Sequence, residues 1–337
     1  MAVTNVIIFI HGMVPDPEPS DPTDLYNRFW DDVVRVKPKL KDAFEDPILV
    51  RWGHELPSQK DLDTDELRED QRLTRAQQHI RDRVAYDAVR TMPGPNNVLL
   101  GGPFGDFTFN PFRGFGLRLK EELVLRGIGD VMYYTAADGE KYVRQAVYEQ
   151  VFNALEALPP EKRDQEICLH FFSHSLGVTV THDFLFGLFN RKEGYNPGFV
   201  ADNQASDDAH EALFQKYRDK TKPDVKELSL GSWSCAASQL PLFVMRKQKL
   251  VDDLALDDPL DPKRIGIDAE GPTQWQLFYD VDDPLGFTTR NLYKDNHTIK
   301  EIQVDVGDLP DSAHTGYWTN TTVIRETAHL LSERAKG

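Results

Sequence analysis

The residues that point most directly to chemistry are Ser173-His174-Ser175-Leu176-Gly177. The apolar run Ile167-Cys168-Leu169-His170-Phe171-Phe172 precedes them, and an apolar helical stretch from Val178 to Phe189 follows. A free serine hydroxyl is a weak nucleophile and needs an adjacent base. A sharp strand-to-helix turn helps by exposing the hydroxyl at the edge of a sheet, beside the positive end of a helix. So tight a turn requires small residues two positions before and two after the serine, and Ser173 and Gly177 satisfy this. Glycine is the usual residue at the first position, so Ser173 is a departure. The bland alternative is that Ser173 and Ser175 only cap the following helix. The strand–turn–helix context favours Ser175 as a nucleophile.

Metal chemistry fits the sequence less well. His170, His174 and His182 are near one another, but His170-Phe171-Phe172-Ser173-His174 lacks the glutamate of a zinc-binding H-E-x-x-H helix. A strand running into a turn would also aim His170 and His174 differently than a helix would. Asp252, Asp253, Asp257, Asp258 and Asp261 form an acidic stretch. It has neither the glycine at position six nor the glutamate at position twelve of a calcium-binding EF-hand loop, and reads as a solvated loop. No metal and no cofactor is expected.

The elements around Ser175 follow from hydrophobic pattern. Val6 to Ile10 is short, continuous and β-branched, as a strand buried on both faces should be. Ile48 to Trp52, Val131 to Tyr134, Lys226 to Leu230, Trp275 to Tyr279 and Ile299 to Val306 are further strands, with a Gly/Ser-rich turn expected after Leu230. Helical spacing marks Thr23 to Val36, Asp138 to Leu158 and Thr321 to Lys336. Strands alternating with helices indicate a parallel α/β sheet. Two stretches fall outside this alternation. Residues 62–116 hold charged helical segments and a Phe-rich loop, with Phe104, Phe107, Phe109, Phe112 and Phe115 among Gly, Pro and Asn. Residues 195–222 are polar and are expected as a loop or cap over the site.

Composition narrows the function. The chain has 337 residues, with 39 Lys+Arg, 55 Asp+Glu and a net charge of −16. Phosphate contacts need a basic surplus, so nucleic acid is excluded as the expected partner. No apolar run approaches a membrane span. Met1-Ala2-Val3-Thr4-Asn5 has no basic region of a signal peptide, so a cytoplasmic location is expected. Cys168 and Cys235 lie in apolar segments and are expected as reduced, buried thiols.

With these residues in view, the chain resembles the α/β-hydrolase superfamily, in particular serine hydrolases of the lipase/esterase type. The resemblance runs from the strand at Val6 to the C-terminal helix and is patchy from Leu62 to Gly116. It implies one domain over 1–337, with a mostly parallel central sheet, helices on both faces, and insertions at about 62–116 and 195–222. It implies a triad in the chain order serine, acid, histidine. The acid would follow the strand Trp275 to Tyr279, within Asp280-Val281-Asp282-Asp283-Pro284. Asp283 leads over Asp282 because Pro284 stiffens its loop. The histidine would be His314, in His314-Thr315-Gly316-Tyr317-Trp318, which resembles the terminal motif of several lipase-like hydrolases. His297 precedes the last strand and so falls at the wrong edge of the sheet. The oxyanion hole would use the N–H groups of Leu176 and of Met13, after His11-Gly12, with His11 structural. Phe104, Phe107, Phe109 and Phe112 are candidates to line an acyl pocket.

The activity so implied is hydrolysis of a small-molecule or lipid carboxylic ester through an acyl-enzyme. The charge of −16 disfavours anionic lipid surfaces and tilts the expectation toward soluble or short-to-medium acyl esters. A thioesterase or acyltransferase would share the triad, and a catalytically silent binding protein is the alternative from another class.

Overall fold

The computed structural model describes residues 2–12, 23–51, 137–192, 208–241, 260–268, 270–283, 285–289, 292–293, 297–307 and 314–336. The chain divides into two compact units, Met1–Trp52 with Ala137–Gly337, and Gly53–Ala136. All described residues belong to the first. The Phe-rich loop, the helical segments within 62–116 and the strand expected at Val131 to Tyr134 lie outside the described residues, as does Met13.

Among the described residues, six strands form one all-parallel sheet in the order β2-β1-β3-β4-β5-β6. They are β1 (Val3–Ile10), β2 (Ile48–Val50), β3 (Glu166–His174), β4 (Leu228–Ala236), β5 (Trp275–Tyr279) and β6 (Ile299–Gln303). Helices α1 (Thr23–Val36), α2 (Ala137–Glu156), α3 (Leu176–Phe189), α4 (Asp208–Lys220) and α5 (Thr321–Arg334) accompany it. This is an α/β architecture.

Adjacent aromatics on β3 show how both faces are covered. Phe172 faces Phe29 of α1, with ring centroids 4.2 Å apart, and Trp318 at 4.9 Å. Its neighbour Phe171 points the other way, to Phe184 of α3 at 5.8 Å. Alternation along a strand requires this. A strand covered on both faces must be apolar throughout, which is why Val6 to Ile10 reads as a continuous apolar run.

One expected turn is a strand instead. The Gly/Ser-rich stretch after Leu230 continues β4 to Ala236. Serine and glycine lower strand propensity, but here they are satisfied across the sheet. Ser232 Oγ bonds His170 Nδ1 at 2.8 Å, and Ser234 Oγ accepts from Gln276 Nε2 at 2.9 Å. Gly231 is the extra residue of a bulge, since Leu169 pairs Leu230 while His170 pairs Ser232.

Of residues 195–222, 208–222 are described. Their described part contains α4, which packs on α2 and α3 through buried Phe214 and Tyr217. Tyr217 stacks on Phe152 at 4.7 Å. Arg218 Nη2 donates to the carbonyl of Asn190, at the C-terminal end of α3. That end is about 20 Å along α3 from the helix start, at 1.5 Å per residue.

Candidate active site

The sheet order reverses direction at β1, which has β2 on one side and β3 on the other. In open α/β sheets, ligands bind at the carboxyl ends of the strands beside such a switch point. Ser175 follows β3 there, opposite the end of β1. Its backbone is at φ 56° and ψ −129°, a conformation that L-residues rarely adopt. Its side chain makes no capping bond to α3. The hydroxyl is thus held away from the helix it precedes, and the capping alternative does not describe it.

The small residues around the turn have separate reasons. A Cβ on Gly177 would overlap the carbonyl oxygens of His11 and Ile10, so the start of α3 can lie against the end of β1 only with glycine there. Gly12 approaches from the other side, and a Cβ on it would sit 2.5 Å from Ser175 Cβ. Ser173 is tolerated where glycine is usual because its Oγ accepts from the Trp233 indole N–H at 2.7 Å, within the sheet.

Ser175 Oγ lies 2.8 Å from His314 Nε2. His314 Nδ1 lies 2.9 and 3.1 Å from the two carboxylate oxygens of Asp283. A nitrogen facing two carboxylate oxygens must carry the proton, so Nδ1–H donates to Asp283 and Nε2 offers its lone pair to the serine hydroxyl. The Asp283 side chain is fully buried and that of His314 is 13% exposed.

The three aspartates after β5 have distinct positions. Asp280 is a brace: Oδ1 accepts from the Asp282 N–H at 2.9 Å, and Oδ2 from the Val306 N–H beyond β6 at 2.6 Å. Asp282 is exposed. Asp283 alone of the three faces His314, and its Oδ1 also accepts from the Leu285 N–H at 2.9 Å. His297 is far from this group in its bonding: Nε2 meets the Gly271 carbonyl at 3.1 Å on an exposed loop. His11 is buried against Tyr26, with ring centroids 6.1 Å apart.

Among the described residues, three further side chains join the site and were not anticipated. Tyr317 donates its hydroxyl to Asp283 Oδ2 at 3.0 Å and accepts from the Asp280 N–H at 2.8 Å. Burial, and next the Asp283 charge, push its phenol well above the usual range, so it remains an O–H donor. His174 Nε2–H donates to the His314 carbonyl at 2.7 Å and so holds the backbone of His314 in place. Burial, and after it the facing His314 ring, hold His174 down to about 3, so it is neutral. Gln239, beyond β4, donates from Nε2 to Ser175 Oγ at 2.9 Å. Tyr317 had a signal, three residues past His314 on the same helical turn. Gln239 had none while β4 was expected to end at Leu230.

No protein-family model, curated protein or solved structure matches this chain. Ser175 and Leu176, at the start of α3, stand at the positive end of the helix dipole. Among the described residues, no cluster of three His, Cys, Asp or Glu is arranged to hold a metal ion. Cys168 and Cys235 are free and buried, and burial pushes both thiols up, away from the reactive thiolate. No described helix is long and apolar enough to cross a membrane.

Proposed function

We propose that the protein is a serine carboxylic ester hydrolase with an α/β-hydrolase fold, using Ser175 as nucleophile, His314 as base and Asp283 as the orienting acid. The observation that carries this reading is the unbroken hydrogen-bond chain from Ser175 Oγ through both nitrogens of His314 to a fully buried carboxylate. The chain order serine, aspartate, histidine and the strained strand-to-helix turn support the same reading.

In the first half-reaction, Ser175 Oγ forms a bond to the ester carbonyl carbon while its proton passes to His314 Nε2. The carbonyl π pair moves onto oxygen. The Leu176 N–H, and the Met13 N–H as the second donor, stabilise that oxyanion, each by about 3–4 kcal/mol in comparable sites. The tetrahedral adduct collapses with cleavage of the bond to the alcohol, which leaves with the proton from His314. Water then repeats the sequence on the acyl-enzyme, with His314 taking its proton and Ser175 departing. Asp283 stabilises the imidazolium each time. Soluble or short-to-medium acyl esters are the preferred substrate class.

A fluorophosphonate probe tests the reading. Wild type should label and Ser175→Ala should not; an unlabelled wild type, or equal labelling of the variant, refutes it. Rates on p-nitrophenyl acetate, octanoate and palmitate test the substrate class, and a clear preference for palmitate would overturn it.

A further inference from the structure

Gln239 touches the proposed nucleophile, yet the triad and the backbone oxyanion donors leave it without a role. Gln239 is 1% exposed and its Nε2 is 2.9 Å from Ser175 Oγ. The orientation of the amide follows from counting protons. Ser175 Oγ has one, and it belongs to His314 Nε2, because His314 Nδ1–H is held by both oxygens of Asp283. If the amide were reversed, its oxygen would face an Oγ with no proton left to give. Gln239 therefore presents N–H, and Oγ accepts it.

We infer that Gln239 is a catalytic residue that donates a hydrogen bond to Ser175 Oγ itself, stabilising the charge that gathers there as its proton leaves. The inference rests on the serine-hydrolase reading above. It differs from the oxyanion hole, whose donors serve the substrate's oxygen. A donor to the nucleophile acts twice: when Oγ loses its proton during acylation, and when Oγ departs from the acyl carbon during deacylation. Such a bond strengthens as the acceptor becomes more negative. Its position is also prepared. Ala237, at φ 53°, turns the chain out of β4, and its N–H bonds the Phe278 carbonyl at 3.1 Å. The Ser238 carbonyl accepts from the Phe287 N–H at 2.8 Å, so the segment bearing Gln239 is held on two sides.

The test compares the rate of fluorophosphonate labelling in wild type, Gln239→Leu and Gln239→Glu. In that reaction Oγ bonds phosphorus, the P–F bond breaks, fluoride leaves, and the serine proton passes to His314. Gln239→Leu should lower the rate constant ~10–100-fold, as expected for losing a hydrogen bond to a charged group. Labelling within twofold of wild type would overturn the inference.

Gln239→Glu gives a readout that a purely structural role would not move. Ionised, the glutamate offers no donor and repels charge on Oγ. Protonated, its O–H donates as the amide does. Burial raises its pKa, so its rate relative to wild type should climb ~10-fold or more from about pH 8 to about pH 5. A ratio that stays flat from about pH 10, above the range that buried glutamates reach, down to about pH 5 would overturn the inference even if Gln239→Leu failed to fold. Absence of Ser175-dependent labelling in wild type would instead refute the parent reading, and this inference with it.

Discussion

Asp283→Asn should abolish most activity by reversing the proton on His314 rather than by moving it. The carboxylate accepts from His314 Nδ1 with both oxygens, from the Leu285 N–H at 2.9 Å and from the Tyr317 hydroxyl at 3.0 Å. Asparagine has one oxygen and one NH2 to meet those donors. Leu285 N–H cannot rotate away, so it keeps the oxygen at the Oδ1 position. The NH2 group then falls at the Oδ2 position, facing Tyr317 and His314. The tyrosine hydroxyl can turn and accept. His314 Nδ1, 2.9 Å from the retained oxygen and 3.1 Å from the new NH2, is no longer bound to be the donor. Imidazole that accepts from the NH2 takes the other tautomer, with Nε2–H pointing at Ser175 Oγ. A ring nitrogen that already carries a proton has no lone pair with which to take the proton of serine, and in either tautomer the imidazolium would lack its carboxylate partner. The loss expected for a wrong tautomer with intact geometry is about 10⁴-fold in kcat, or about 5.5 kcal/mol. Stability should change little, since the Leu285 bond and the packing survive. The assay is ester hydrolysis and probe labelling on purified variants, with thermal melting as the folding control. A folded Asp283→Asn protein within tenfold of wild type would refute the tautomer argument, as would Asp282→Asn being the crippling change.

Tyr317→Phe removes one donor from Asp283 and leaves the buried Asp280 N–H without its acceptor; it should cost about 1–3 kcal/mol of stability in denaturant titration. It should also slow hydrolysis far less than Asp283→Asn, since two donors to the carboxylate remain. Gly177→Ala forces a Cβ into the His11 and Ile10 carbonyl oxygens; the expected outcome is destabilisation by more than about 1 kcal/mol, with weaker labelling of the folded fraction. Acid should destabilise the fold through His170, which burial, and then Arg334 and Lys336, hold down to about 3. Below the ordinary pKa of about 6.5 the unfolded chain binds a proton that the folded chain refuses. Stability should therefore fall by up to about 1.4 kcal/mol per pH unit between about 6.5 and 3. His170→Gln should reduce that slope in melts across pH, leaving the share of His174, which burial also holds down to about 3.

Much of the fold was legible because its local rules are strong. Val6 to Ile10 and Trp275 to Tyr279 are apolar enough to be strands on pattern alone, and Thr23 to Val36 carries its helical period. The end of β4 was not legible. Gly231, Ser232 and Ser234 have turn chemistry locally, and only His170 and Gln276 on neighbouring strands turn them into a strand. That error hid Gln239, because a residue acquires meaning at a sheet edge only once the edge is located.

By itself the sequence determined which residue types could react and in what order they come: a serine in a tight strand-to-helix turn, aspartates past a later strand, a histidine past the last. Those are short-range facts, set by neighbours a few positions away. Tertiary structure decided which aspartate faces His314, since Asp280, Asp282 and Asp283 are near-equivalent along the chain. They are separated by what each meets: Val306 from beyond β6, solvent, or the imidazole. It also decided the partners that support the serine, because Gln239 and Ser175 are 64 positions apart in sequence and meet only when β3 and β4 pair. Hydrogen bonds of that kind depend on distances of a few tenths of an ångström, and only the assembled sheet fixes distances so finely between remote parts of a chain.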